Sequence, residues 1–104
     1  MGYYALFYHV VENFVERRAP FRQQHLAHAQ RASQECGLLL AGALGDPADT
    51  ALLVFRGESP DLARTFAESD PYVLNGLVQR WEVRPWNVVV GDLYDLPAVS
   101  KGGA

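Results

Sequence analysis

The sequence predicts a single α+β domain in which two helices cover one face of a four-stranded antiparallel sheet, in the order strand, helix, strand, strand, helix, strand. Three observations predict it. Residues 3–11, 38–44, 50–56 and 78–90 form short runs rich in aromatic, β-branched and leucine residues, the composition of strands. Residues 20–36 and 59–70 each carry a proline suited to a first helical turn and an apolar stripe of helical period. The second and third runs are joined across Asp46 to Asp49, a length and composition that make them a hairpin.

The first strand, Tyr3 to Val11, carries His9 near its end, where a packing or surface role is expected. Glu12 to Arg18 is polar and irregular. Pro20 opens a helix that runs to Cys36, where Gly37 supplies the stop. With His25 at zero and about 100° per residue, Phe21, Arg22, Leu26, Ala29, Ala32, Ser33 and Cys36 share its arc. His25 is thereby predicted to point inward, with His28 at the rim. Leu38 to Leu44 is the second strand, where Gly42 leaves room for a backbone or ligand to approach. Thr50 to Arg56 is the third. Ser59, Pro60 and Asp61 read as N-cap, N1 and N2 of the second helix, whose inner stripe is Leu62, Ala63, Phe66 and Ala67. The fourth strand, Val78 to Val90, contains Pro85, which lacks an N–H and belongs at an edge or bulge. Residues 1–91 form the domain and 92–104 a tail. In that tail Leu93, Tyr94 and Leu96 can dock on a neighbour, while Ser100 to Ala104 are expected to be disordered. The arrangement is the ferredoxin-like split βαβ pattern.

Length and composition bound the function. The 104 residues suit one ordinary core, and 49% hydrophobic with 20% charged residues is a folding composition. Nine Lys and Arg against twelve Asp and Glu leave a net charge of −3, which offers no footprint for nucleic acid or an anionic membrane. The single cysteine, Cys36, fits a reducing compartment, and no run is long and apolar enough to span a bilayer, so a cytoplasmic location is expected. With both helices on one face, the other face of so apolar a sheet needs a cover, and a homodimer burying sheet against sheet is predicted.

The chemistry centres on residues 68–76, Glu-Ser-Asp-Pro-Tyr-Val-Leu-Asn-Gly. Proline disfavours helical geometry at the residue before it, so the second helix ends at Asp70 and turns sharply. The apolar Tyr72, Val73 and Leu74 pin that corner and hold the carboxylate on it. His25 is the candidate partner. An imidazole titrates near neutrality, and a carboxylate that fixes its tautomer equips it for general acid–base work. The alternative is a core histidine satisfied by a capping aspartate that ties two helix ends together.

The run Glu16-Arg17-Arg18-Ala19-Pro20-Phe21-Arg22-Gln23-Gln24-His25-Leu26, followed by Gly37-Leu38-Leu39 with Ala41-Gly42 and by Ser69-Asp70-Pro71-Tyr72-Val73 with Gly76, resembles the YciI (YCII-related) family of small bacterial proteins. The similarity spans about residues 3–90. The resemblance implies the dimeric α/β-barrel variety of the ferredoxin-like fold and an active site whose His and Asp fall on His25 and Asp70. It also matches Arg18 and Arg22 to basic positions before the histidine. The best-assigned relatives resemble lyases that eliminate chloride from chlorinated hydroxyquinols, a specific chemistry that is not carried over.

Arg18 and Arg22 offer guanidinium forks for a substrate carboxylate or phenolate, or are solvated arginines at a helix start. Tyr72 either donates a hydrogen bond into the cleft or simply packs. His25 and His28 are spaced for a metal, but no Asp or Glu on their arc completes a set, so neither metal nor other cofactor is expected. Cys36 reads as a small buried residue, and Trp81 and Trp86 as sheet packing or dimer contacts. The reading is a cofactor-free, lyase- or isomerase-type enzyme acting on a small, anionic or oxygenated ring compound. The alternatives are a non-catalytic ligand-binding or accessory dimer and, from fold analogy alone, a cofactor-free monooxygenase.

Overall fold

The computed structural model describes residues 1–92. Its elements are β1 (Gly2–Val10), α1 (Phe14–Arg17), a 3₁₀ turn (Ala19–Phe21), α2 (Arg22–Glu35), β2 (Leu38–Leu44), β3 (Thr50–Gly57), α3 (Asp61–Ser69), α4 (Pro71–Leu74) and β4 (Val78–Trp86). The strands form one antiparallel sheet in the order β2-β3-β1-β4. This is the ferredoxin-like α+β fold expected from the sequence. The predicted tail contacts of Leu93, Tyr94 and Leu96 lie outside the described residues, as does the disorder expected for residues 100–104.

Side-chain alternation sets the two faces of the sheet. On β1, Leu6, Tyr8 and Val10 point toward the helices and are buried, and in the register Leu6 neighbours Leu53 and Tyr8 neighbours Ala51 on β3. Phe14, Ala32, Ala63, Phe66, Ala67, Tyr72 and Leu77 close the core from the helical side. Trp81 and Val83 of β4 pack against the same core, which places Trp81 in sheet packing. The opposite face carries Tyr3, Phe7, Leu52 and Val54, together with Leu40, Leu44 and Trp86, the last three well exposed. His9 is on that face too, 3.7 Å from Glu82.

Four local readings are corrected. The segment read as irregular contains the single-turn α1, whose start is Asn13 in the left-handed region at φ 58°, a conformation asparagine tolerates. Pro20 sits in the 3₁₀ turn, and α2 proper begins at Arg22. β4 ends at Trp86 rather than Val90, because Trp86 already pairs with Tyr3 and β1 has almost no residues left to continue the ladder. Pro85 does lie on an edge strand, where its missing N–H is harmless. Leu26 points toward the helix–sheet space, as the angular reading requires, yet is 47% exposed because a cavity rather than a side chain lies beneath it.

Candidate active site

The site is built at the junction of α3 and α4. Asp70 has an extended backbone between the two helices, ψ 127°, as the following proline demands. From there it caps α4, with Pro71 at the first helical position and the Tyr72 N–H donating to Asp70 Oδ1 at 2.9 Å. The side chain is fully buried. A buried carboxylate is tolerated only when donors surround it, and two more arrive from other elements. The Tyr8 hydroxyl, from β1, donates to Oδ2 at 2.7 Å. His25 Nδ1, from α2, lies 2.9 Å from Oδ1 and 3.1 Å from Oδ2. A carboxylate can only accept, so in this contact Nδ1–H is the donor, a tautomer assigned from the hydrogen bonding in which Nε2 is the unprotonated nitrogen of a neutral imidazole.

The His25 ring is also held from the side. It stacks on Tyr72 with centroids 3.9 Å apart and planes 7° from parallel, and Tyr72 in turn meets Phe14 edge-on at 5.4 Å. The Arg18 guanidinium rests 5.2 Å over the Phe14 ring. Among the described residues Nε2 has no hydrogen-bond partner. His25 forms part of the wall of a cavity of about 550 Å³, lined also by Phe14, Arg18, Arg22, Leu26 and Tyr72 from the helical side and by Tyr8, Ala41, Ala43 and Leu53 from the sheet. On edge strand β2 the positions facing the helices are the small Ala41 and Ala43, paired with Leu53 and Ala51, and they leave this space open.

The structure therefore brings His25, Arg18, Arg22 and Tyr72 around one cavity, with Asp70 buried behind His25 and in contact with it. The Tyr72 hydroxyl is buried near the Arg22 guanidinium, and among the described residues it has no acceptor for its own proton. Burial raises its pKa, and the charges of Arg18 and Arg22 oppose that rise. His28 lies outside the site. Its Nε2 donates to the Phe66 carbonyl at 3.0 Å and its ring stacks on Phe66, which ties α2 to the end of α3. Among the described residues no group of three His, Cys, Asp or Glu is placed to hold a metal. Cys36 is partly buried against the core. Tyr8 is the site residue that the sequence reading missed. An inward tyrosine on a central strand carries the same signal as any core aromatic, and only the fold reveals its contact 62 residues away.

Comparison with known proteins agrees with this architecture. Residues 1–87 match the YCII-related domain family. An uncharacterised protein of Haemophilus influenzae is 31% identical over 96 residues, 84% of this chain and 98% of that protein. Protein YciI of Escherichia coli O6:H1 is 33% identical over 84 residues, 72% of this chain and 86% of that protein. Among solved structures, the 5-chloro-2-hydroxyhydroquinone dehydrochlorinase TftG of Burkholderia phenoliruptrix, in complex with 2,5-dihydroxybenzoquinone, superposes with a TM-score of 0.67 at 20% identity, covering 81% of this chain and 92% of that one. An antibiotic biosynthesis monooxygenase shares the fold at a TM-score of 0.53 and 10% identity, covering 86% of this chain and all of that one. With the family match spanning nearly the whole described domain, the chain belongs to the YCII-related domain family.

Proposed function

We propose that this protein is a small-molecule enzyme that moves a proton on an oxygenated, anionic ring compound, in lyase- or isomerase-type chemistry without a cofactor. One observation carries the reading. His25 is anchored through Nδ1 to a fully buried carboxylate, its Nε2 is free of protein partners among the described residues, and the residue lines a cavity large enough for a small ring. In this reading Nε2 takes or gives the substrate proton, and Asp70 fixes the ring and stabilises the imidazolium when it forms. Arg22, with Arg18 beside it, holds the substrate's negative oxygen. The buried Tyr72 O–H supports an anionic ligand as well, since the arginines near it can only donate and an acceptor is what the hydroxyl lacks. That the solved neighbour TftG is bound to 2,5-dihydroxybenzoquinone makes hydroxylated quinones and hydroquinones the first compounds to screen. The working unit is proposed to be a cytoplasmic homodimer.

The test is turnover across such a panel by wild-type protein and His25→Gln. Loss of a positioned acid–base group lowers kcat by about 10²- to 10⁴-fold, with KM for an anionic substrate retained because Arg18 and Arg22 remain. Unchanged turnover in His25→Gln would remove the reading. The second reading, an accessory ligand-binding dimer, is favoured by one fact: Asp70 caps α4 and receives Tyr8 whether or not His25 does chemistry. It predicts instead that His25→Gln lowers stability by about 1–3 kcal/mol and that no compound in the panel is consumed. The monooxygenase reading has only the shared fold behind it.

A further inference from the structure

We propose that Tyr8 is a positioning residue of this site, whose hydroxyl disperses the charge of Asp70 and so sets how strongly that carboxylate holds His25. The inference rests on the His25–Asp70 reading and adds to it the group that tunes the pair. The hydroxyl needs a reason to be where it is. The inward positions before and after Tyr8 on β1 are Leu6 and Val10, all three are buried, and a phenylalanine would fill the same space without the cost of taking an O–H out of water. What the hydroxyl does there is donate to Asp70 Oδ2 at 2.7 Å, closer than either contact from His25.

Asp70 has no exposed surface, and among the described residues its negative charge is shared by the donors that reach it: the Tyr8 hydroxyl, the Tyr72 N–H and His25 Nδ1–H. A short O–H donor to a carboxylate is among the strongest of neutral donors, and each one that binds leaves less charge for the others. Tyr8 therefore weakens the grip of Asp70 on the Nδ1 proton. That in turn moderates the basicity that the carboxylate lends to Nε2 across the ring. A tyrosine in this position stays a donor under ordinary conditions, because burial, then the charge of Asp70, then the hydrogen bond itself all raise its pKa.

The experiment is ¹⁵N NMR of His25 Nδ1 in the intact protein, read through the carbon-bound ring protons with the imidazole neutral. Three forms are compared: wild type, Tyr8→Phe, and the protein with 3-fluorotyrosine incorporated at position 8 alone. Removing the donor concentrates charge on Asp70, strengthens its bond to Nδ1–H and moves the Nδ1 resonance downfield. Fluorination makes the phenol a stronger donor and moves the resonance upfield. Displacements of opposite sign support the proposal, because loosened packing does not change sign with donor strength. Displacement of both forms in one direction, or none in the fluorinated form, overturns it. If Tyr8→Phe does not fold, the fluorinated protein decides alone: upfield supports, no movement overturns. The readout needs no turnover. A responsive Nδ1 beside full activity in His25→Gln would sink the enzymatic reading and leave the tuning intact, and the converse pair of results would do the reverse.

Discussion

At the scale of the residue, the site is a lesson in how a buried charge is made tolerable. Asp70 is surrounded by one backbone and two side-chain donors drawn from α4, β1 and α2, and the hydroxyl donor leaves a signature in the alkaline range. Tyr8 keeps its proton in the folded state above the ordinary phenol value of about 10. Below that value the folded and unfolded chains hold the same proton and the contribution to stability is complete. Above it the unfolded chain releases a proton that the folded chain retains, so stability falls with rising pH, by up to about 1.4 kcal/mol per unit for each such group. Tyr72 is shifted in the same direction, with Arg18 and Arg22 opposing. Urea unfolding between about pH 9 and 11 is therefore expected to show a midpoint that falls more steeply in wild type than in Tyr8→Phe. Equal slopes would mean that the hydroxyl titrates like an exposed one. At this scale the sequence was legible in part. That His25 and Asp70 meet was expected because Asp-Pro marks a helix end, the angular reading turns His25 inward and the family resemblance pairs the two positions. Tyr8 was not, because strand alternation says which face a side chain takes and nothing about which distant polar atom it meets.

The elements are legible where a single residue type enforces the geometry and obscure where pairing does. Gly37 illustrates the first case. It stops α2 in the left-handed region at φ 75°, and a Cβ there would collide with the Arg56 carbonyl oxygen, whose residue also donates its N–H to the Gly37 carbonyl at 2.9 Å. Gly37→Ala combines a strained dihedral with a backbone clash between neighbouring strands. It is expected to cost about 2–4 kcal/mol, which for a domain of this size lowers Tm by roughly 8–25 °C. A calorimetric Tm within about 2 °C of wild type, well under 1 kcal/mol, would show that β2 and β3 can part to admit the methyl group. The end of β4 illustrates the second case. Val88, Val89 and Val90 have the composition of a strand, but the length of a strand is set by its partner, and β1 has run out. Likewise α1 carries no usable periodicity at four residues and is stabilised by Phe14 in the core.

At the scale of the whole molecule, the sheet has one face under helices and one that ends in exposed side chains. Leu40 is 63% exposed and Trp86 46%, and with Tyr3, Val54, Val88 and Val90 they line an apolar groove beside the sheet's open side. Exposed aliphatic and aromatic side chains this close together are unfavourable in water, and the face continues through Phe7 and Leu52 toward the middle of the sheet. In the proposed homodimer a second copy of the same face is the self-complementary cover, since β1 and β3 lie at the centre of the sheet and can meet their counterparts across a two-fold axis. Sedimentation at micromolar concentration is expected to give twice the chain mass for wild type. Leu40→Lys places a charge in the proposed interface, and by symmetry does so twice, so that variant should sediment as one chain. Because Leu40 pairs with Val54 on the face away from the cavity beside His25, its substitution also separates assembly from the proposed proton-transfer site. Loss of the dimer with His25 still held at Asp70 by NMR would place the interface on the open face, whereas an unchanged dimer would move it to another surface.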